Sequence, residues 1–298
     1  MYRAPRRRAL FGAVIAVMLA AVAAAAAYRL PGEAGRTYLA PDGWPRRGQG
    51  AYVLGDGRPA ASPHEQPAPI ASLAKVMTAY LTLEHYPLNG GQEGFTVTVT
   101  AAEARAEAED AARDQSVVAV RTGEQLTERQ LLEALLIPSG NNIAGVLAAA
   151  VAGGEARLLD EMNAEARALG MDDTVYTDPS GFDPSTVSTA ADQLRVFRRA
   201  IRFAAFRQIV SMASVTLPVA GTLRNFNPLI AEGYDGKTGS DSAAGGCLAF
   251  FTDVTVGGRR LTAAGVVMGQ GEGSETSSIL AAAGEAAQQL VDAGRSQP

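Results

Sequence analysis

Lysine occurs at only two positions in this chain, 75 and 237, although Lys and Arg together number 26. Every other cation is arginine. An arginine cannot be deprotonated inside a protein, whereas a desolvated lysine can lose its proton and act as a base. Two positions that keep lysine in a chain otherwise drifted to arginine are either accidental survivors or places where the fold needs that chemistry. The neighbouring residues decide between these readings.

Around the first lysine the chain reads Pro69-Ile-Ala-Ser72-Leu-Ala-Lys75-Val-Met-Thr-Ala-Tyr-Leu-Thr-Leu-Glu84. Leu73, Val76, Met77, Tyr80 and Leu83 recur at helical spacing, which predicts a buried helix beginning near Ser72. The i, i+3 spacing puts the Ser72 hydroxyl and the Lys75 amine on one face. At a helix start, free N–H groups and the positive dipole end favour an oxyanion and help lower a lysine pKa. A serine beside a lysine that can lose its proton is an activated nucleophile. Taken alone, the same four residues are also a serine cap with an incidental lysine.

Two further segments carry polar groups. Thr127 with Gln130 forms a capping box ahead of Leu131, Leu132, Leu135 and Leu136. Pro138-Ser139-Gly140-Asn141 interrupts that helix, and helical character resumes from Ile143 to Val151 before Gly153-Gly154. Ser139 and Asn141 in such a turn can face a cleft, although Ser, Gly and Asn are ordinary turn formers. Around the second lysine, Tyr234-Asp-Gly-Lys237-Thr238-Gly239-Ser240-Asp241 precedes two β-rich runs, Cys247 to Val256 and Leu261 to Met268, joined through Gly257-Gly258. These runs predict an antiparallel hairpin with Lys237-Thr238-Gly239 on an adjacent strand, the glycine permitting close approach of a ligand backbone. A hydroxyl beside an ammonium suits a substrate carboxylate. A polar, glycine-rich loop has the same composition.

The 298 residues are 47% hydrophobic and 19% charged, with net charge −5. That excludes a disordered chain or a polytopic membrane protein and suffices for one sizeable core or two small ones. The mild acidity argues against a nucleic-acid binder. Cys247 is the single cysteine, so no intrachain disulfide forms. With His64 and His85 it leaves a zinc site short of its usual ligands, while an oxygen-ligand site stays open. No metal or cofactor is expected.

The N-terminus carries Arg3, Arg6, Arg7 and Arg8 ahead of an uncharged run from Ala9 to Ala27. A positive start, an apolar run and a small-residue end compose a secretory signal. A run of this length also just spans a bilayer, which takes about 17–25 residues. Residues 1–28 are therefore expected to be a signal peptide or membrane anchor, and the charge bias puts the remainder outside the cytoplasm. Residues 29–50, rich in Pro and Gly, are expected to be a linker, residues 51–293 the folded domain and residues 294–298 a tail.

Ser72-x-x-Lys75, Ser139-x-Asn141 and Lys237-Thr238-Gly239, in this order, resemble the three boxes of the serine penicillin-recognising enzymes. Both lysines fall in the boxes that require lysine. Within that superfamily the chain most resembles the low-molecular-mass D-alanyl-D-alanine carboxypeptidases of peptidase family S11. Pro69-Ile-Ala-Ser72, the Ser-Gly-Asn form of the second box, Met162 to Met171, Thr177-Asp-Pro-Ser-Gly-Phe-Asp183, Asn225-Phe-Asn-Pro-Leu229 and Gly258-Arg-Arg-Leu261 support this. Three departures stand out. Ala74 precedes the lysine where threonine is common. Asp235 stands where glycine is expected, so the entry to that strand is expected to shift. Asp241 replaces a frequent threonine.

The resemblance implies an α+β fold of the β-lactamase/transpeptidase type, an antiparallel sheet flanked by helices plus a mainly helical lobe, with the boxes in the cleft between. It implies that Ser72 attacks the penultimate D-alanine carbonyl and Lys75 takes its proton. Ser139 and Lys237 relay that proton to the leaving D-alanine, and Asn141 orients the substrate amide and Lys75. Lys237, Thr238, Gly239 and Ser240 bind substrate, the N–H groups of Ser72 and Ser240 forming an oxyanion hole. The implied partners are peptidoglycan stem peptides, β-lactam antibiotics as covalent inhibitors and the cytoplasmic membrane, with no nucleic acid. A β-lactamase-like hydrolase and a catalytically silent wall-binding or penicillin-sensing module are the alternatives.

Overall fold

A computed structural model describes residues 43–295 apart from residues 272 and 274. The expected signal or anchor, the linker up to residue 42 and the last three residues lie outside the described residues. In chain order the elements are β1 (Gln49–Leu54), β2 (Ala60–Ala61), β3 (Ala68–Pro69), a 3-10 turn (Ala71–Leu73), α1 (Ala74–His85), β4 (Thr96–Thr98), α2 (Ala101–Ala111), β5 (Gln125–Thr127), α3 (Glu128–Leu136), α4 (Asn141–Ala152), α5 (Glu155–Ala168) and β6 (Val187–Ser188). Then follow α6 (Ala190–Ala200), α7 (Ala204–Val210), β7 (Ser214–Leu217), β8 (Gly221–Arg224), β9 (Asp235–Asp241), β10 (Gly245–Val256), β11 (Arg259–Gln270) and α8 (Thr276–Arg295).

The main sheet runs β2-β1-β11-β10-β9, with antiparallel pairing throughout. Strand alternation divides its side chains between two cores. Tyr52, Leu54, Leu248, Phe250 and Val267 face α8 and pack on Ala287, Leu290 and Val291. Ala51, Val53, Ala249, Phe251 and Val266 face the other way and join the core of the helical lobe. There the Phe251 and Phe197 rings lie 6.4 Å apart. Each fully buried Leu, Val or Phe contributes about 1.5–3 kcal/mol of transfer free energy, so both faces of the sheet are committed. β9, which carries the third box, is an edge strand.

α1 is predominantly apolar, and every residue from Ala74 to Leu83 is buried, Lys75, Thr78 and Thr82 included. A helix of that composition has to be enclosed, and it packs among α3, α4, α5 and α6. The capping box ahead of α3 forms as expected, Gln130 N–H donating to Thr127 Oγ1 at 3.2 Å and Thr127 N–H to Gln130 Oε1 at 3.0 Å. α4 opens at Asn141 and ends on Gly153, which holds φ +76°. α2 buries no residue fully, as its Ala-, Glu- and Asp-rich sequence predicts, though Ala104 and Asp110 are half-buried on its inner side.

Four local expectations are corrected. Ser72 lies in a 3-10 turn, and the α-helix begins at Ala74, because β9 and the 177–183 loop pack on this turn. β1 opens at Gln49, inside the expected linker, where Gln49 and Gly50 pair with Met268 and Val267. Val97 and Val99, flanked by threonines, predict a short strand through both, but β4 ends at Thr98 and the Val99 N–H bonds to the Glu124 carbonyl. The entry to β9 is not shifted: Asp235 to Asp241 pair without a break opposite Phe251 to Gly245. Gly236, one residue before the lysine, supplies the close approach, since a Cβ there would be 2.9 Å from the Ala249 carbonyl carbon.

Candidate active site

Ser72 and Lys75 are held where the 3-10 turn runs into α1. Lys75 is fully buried and Ser72 is half-buried. Lys75 Nζ lies 2.7 Å from Ser72 Oγ, 2.6 Å from Asn141 Oδ1 and 3.0 Å from the Ser180 carbonyl oxygen. A neutral amine has two N–H donors and one lone pair. Asn141 Oδ1 and the Ser180 carbonyl only accept, so they take the two N–H groups. The lone pair is left for the Ser72 hydroxyl proton, the arrangement a general base requires.

The orientation of Asn141 is fixed from outside. Its Nδ2 donates to Gln115 Oε1 at 2.7 Å, and Gln115 Nε2 donates to Asp110 Oδ1 at 3.0 Å. A carboxylate cannot donate, so Asp110 decides which way Gln115 points, and Gln115 in turn directs Asn141 Oδ1 onto Lys75. Arg113 bonds Asp110 at 2.9 Å. The preceding turn is anchored by Asn141 N–H on the Ser116 carbonyl (2.7 Å) and Ser116 Oγ on the Pro138 carbonyl (3.0 Å). Ser139 adopts φ +65°, a strained conformation for a non-glycine residue, and there its hydroxyl accepts from Lys237 Nζ at 2.9 Å.

Lys237 is also fully buried and donates to the Thr238 carbonyl at 2.7 Å. The strand reaches the nucleophile because residue 239 is glycine: a Cβ there would stand 3.2 Å from Ser72 N and 2.9 Å from the Ile70 carbonyl oxygen. Thr238 is buried and Ser240 half-buried on the same strand. Asp241 has a local explanation, its Oδ1 accepting from Ala243 N–H (2.7 Å) and Ala244 N–H (2.6 Å) to close the β9–β10 turn.

Burial pushes both lysines down. Lys75 falls well below the usual lysine range through desolvation first and the Lys237 charge second, with Asp178 opposing. Lys237 is lowered to about 7 by desolvation. Asp160-Glu-Met-Asn163 lies within the amphipathic α5, with Asn163 Nδ2 donating to the Leu159 and Tyr176 carbonyls at 3.0 and 2.8 Å.

The structure brings Ser72, Lys75, Ser139, Asn141, Lys237, Thr238, Gly239 and Ser240 to one place. Sequence reasoning missed Gln115, Asp110, Ser116 and the Ser180 carbonyl as parts of the site. The signal for the last was the 177–183 segment, whose Ser-Gly pair stood without a role. Among the described residues no group of three or more His, Cys, Asp or Glu is placed to hold a metal ion.

An α+β scaffold with a serine–lysine pair beside a Lys-Thr-Gly edge strand holds the groups that acyl transfer through a serine requires. A family model for D-alanyl-D-alanine carboxypeptidases, peptidase S11, matches residues 60–271, and the chain belongs to that family. D-alanyl-D-alanine carboxypeptidase DacB2 of Mycobacterium tuberculosis is 35% identical over 205 residues, covering 66% of this chain and 65% of the relative. The D-alanyl-D-alanine endopeptidase of Pseudomonas aeruginosa is 31% identical over 197 residues, covering 62% and 60%. The crystal structure of the Streptomyces K15 DD-transpeptidase aligns with a TM-score of 0.71 at 26% identity over 84% of this chain and 98% of that one. This chain spans less than two thirds of the length of these curated relatives.

Proposed function

We propose that this chain is a serine-type D-Ala-D-Ala carboxypeptidase that removes the terminal D-alanine from peptidoglycan stem pentapeptides, and that β-lactams acylate the same serine. The observation that carries the reading is the buried Lys75 Nζ 2.7 Å from Ser72 Oγ, with the Asn141 and Ser180 oxygens at 2.6 and 3.0 Å to take its N–H groups. Ser72 Oγ attacks the carbonyl carbon of the penultimate D-alanine as Lys75 takes the hydroxyl proton. The Ser72 and Ser240 N–H groups receive the oxyanion; loss of one such donor typically costs about 10²–10³ in rate. The peptide C–N bond breaks, and the proton reaches the leaving amine through Ser139 and Lys237, which are 2.9 Å apart. Lys237 and Thr238 hold the terminal carboxylate, and water then cleaves the ester. No step calls for a metal or cofactor.

The organisation proposed with it is an exported protein with residues 1–28 as signal or anchor, acting at the outer face of the cytoplasmic membrane. Intact mass over time after mixing the protein with benzylpenicillin, with Ser72→Ala as control, tests the reading. A persistent one-to-one adduct that requires Ser72 is expected. An adduct lost within seconds while penicillin is consumed would assign a β-lactamase, and no adduct would move the silent-module reading forward.

A further inference from the structure

The 177–183 segment forms a tight loop built around one carboxylate. Asp178 Oδ2 accepts from Ser180 Oγ at 2.6 Å, Ser180 N–H at 3.2 Å and Phe182 N–H at 3.0 Å. Its Oδ1 accepts from Thr186 Oγ1 at 2.8 Å. Thr186 is fully buried, and its oxygen receives the N–H groups of Thr177 and Asp178 at 3.0 and 3.2 Å. The loop thus curls around Asp178, and its outward products are two carbonyls. Pro179 accepts from Thr78 Oγ1 at 2.7 Å and Ser180 accepts from Lys75 Nζ at 3.0 Å. Their two donors, Lys75 and Thr78, sit about one helical turn apart on α1, so the loop is docked on the helix that carries the base.

We infer that Asp178 is a positioning residue for acylation: its carboxylate holds the Ser180 carbonyl on the Lys75 amine, and its negative charge faces that amine across the Ser180 peptide. The inference rests on the acylation chemistry proposed above. Without the four donors gathered on Asp178, the Ser180 carbonyl has no reason to stay within 3.0 Å of Nζ, and one N–H of the amine loses its acceptor. An amine free to rotate no longer presents its lone pair to Ser72. The groups facing Lys75 are Ser72 on the turn, Asn141 on α4, Lys237 on β9 and Asp178 on this loop. Lys237 favours the neutral amine and Asp178 opposes it. Glu155 at the start of α5 also feels the Asp178 charge: burial first, then Asp178 and Asp110, push its carboxyl up. Asp178 is the acid whose charge reaches the base.

The test is the second-order rate of benzylpenicillin acylation followed against pH in the full chain. Asp178→Asn is close to isosteric: an amide oxygen can take the Ser180 and Phe182 donors, while its NH2 group meets Thr186 Oγ1, whose two lone pairs already receive the Thr177 and Asp178 N–H groups, so one hydrogen bond at Thr186 is given up. It removes the charge and one hydrogen bond at Thr186, and the pH profile reads the charge alone. The acidic limb of the profile is expected to move to lower pH by about half a unit to one unit, because the ammonium form of Lys75 loses its stabilising neighbour. Thr186→Val keeps the charge and removes one donor, and is expected to lower the rate with the limb in place. A uniform loss of rate in Asp178→Asn with an unmoved limb, or a limb moved upward, overturns the inference. If Asp178→Asn does not fold, Asp178→Glu carries the test: the limb stays while the rate falls, and a moved limb overturns it. A wild-type chain that forms no adduct at all refutes the acylation reading itself, an outcome distinct from an unaltered pH profile.

Discussion

Gly181 tests whether the loop that supports the base also fixes the nucleophile. Its φ is +80°, and a Cβ there would overlap the Ala71 carbonyl oxygen, stand 2.6 Å from the Ala71 carbonyl carbon and 3.0 Å from Ala74 Cβ. Ordinary contact begins near 3.4 Å, so Gly181→Ala has to push the Ala71 carbonyl or the loop by more than 1 Å. Ala71 is itself held at φ +45° immediately before Ser72 and has little room to adjust. Gly221, at φ +69° in the β7–β8 turn with nothing within 4 Å, separates the two contributions. Gly221→Ala carries only the left-handed strain, about 1–2 kcal/mol, and is expected to lower Tm by several degrees with acylation unchanged. Gly181→Ala carries the same strain plus the displacement, and a misplacement of about 1 Å costs roughly 10²-fold in rate. The assay is benzylpenicillin acylation by intact mass alongside thermal unfolding of both variants. Wild-type acylation in folded Gly181→Ala would refute the idea that this contact sets the position of Ser72.

Two further outcomes follow from the same geometry. Lys237 has its pKa lowered to about 7 by burial, so in the free protein its charge is present below pH 7 and lost above it. If that charge receives the substrate carboxylate, KM for a D-Ala-D-Ala peptide rises as pH passes upward through 7, and a KM that stays flat to about pH 9 would contradict the role. Gln115→Ala leaves Asn141 Nδ2 without its partner, so Asn141 is free to turn its oxygen from Lys75; acylation is expected to fall about tenfold with little change in Tm, and an unaltered rate would show that Asn141 is held by other means.

The parts of the site that were legible in the sequence are those made by side-chain chemistry at local spacing. Ser72 and Lys75 are three residues apart, the Thr127–Gln130 box is a four-residue pattern, and the β10–β11 hairpin announces itself by Gly257-Gly258 between two β-rich runs. What was not legible is made by backbone atoms or by contacts remote in sequence. The Ser180 carbonyl reaches Lys75 across 105 residues, and any residue has a carbonyl. Gln115 is a single amide beyond an exposed helix, unremarkable until Asp110 and Asn141 are seen on either side of it. The 3-10 turn at Ser72 escaped because helical periodicity marks which residues are buried and not where the first turn tightens. The β7–β8 hairpin escaped because four-residue strands carry too little alternation.

The two lysines join these levels. Each has no exposed surface, and each amine meets only oxygen atoms: Ser72 Oγ, Asn141 Oδ1 and the Ser180 carbonyl around Lys75, Ser139 Oγ and the Thr238 carbonyl around Lys237. A guanidinium at either place would bring five N–H donors to two or three acceptors and a charge it cannot shed. Burying an ion without a compensating partner costs several kcal/mol, a cost the amine escapes by releasing its proton. The same release makes Lys75 a base. On the exposed surface neither constraint operates, and arginine serves there throughout.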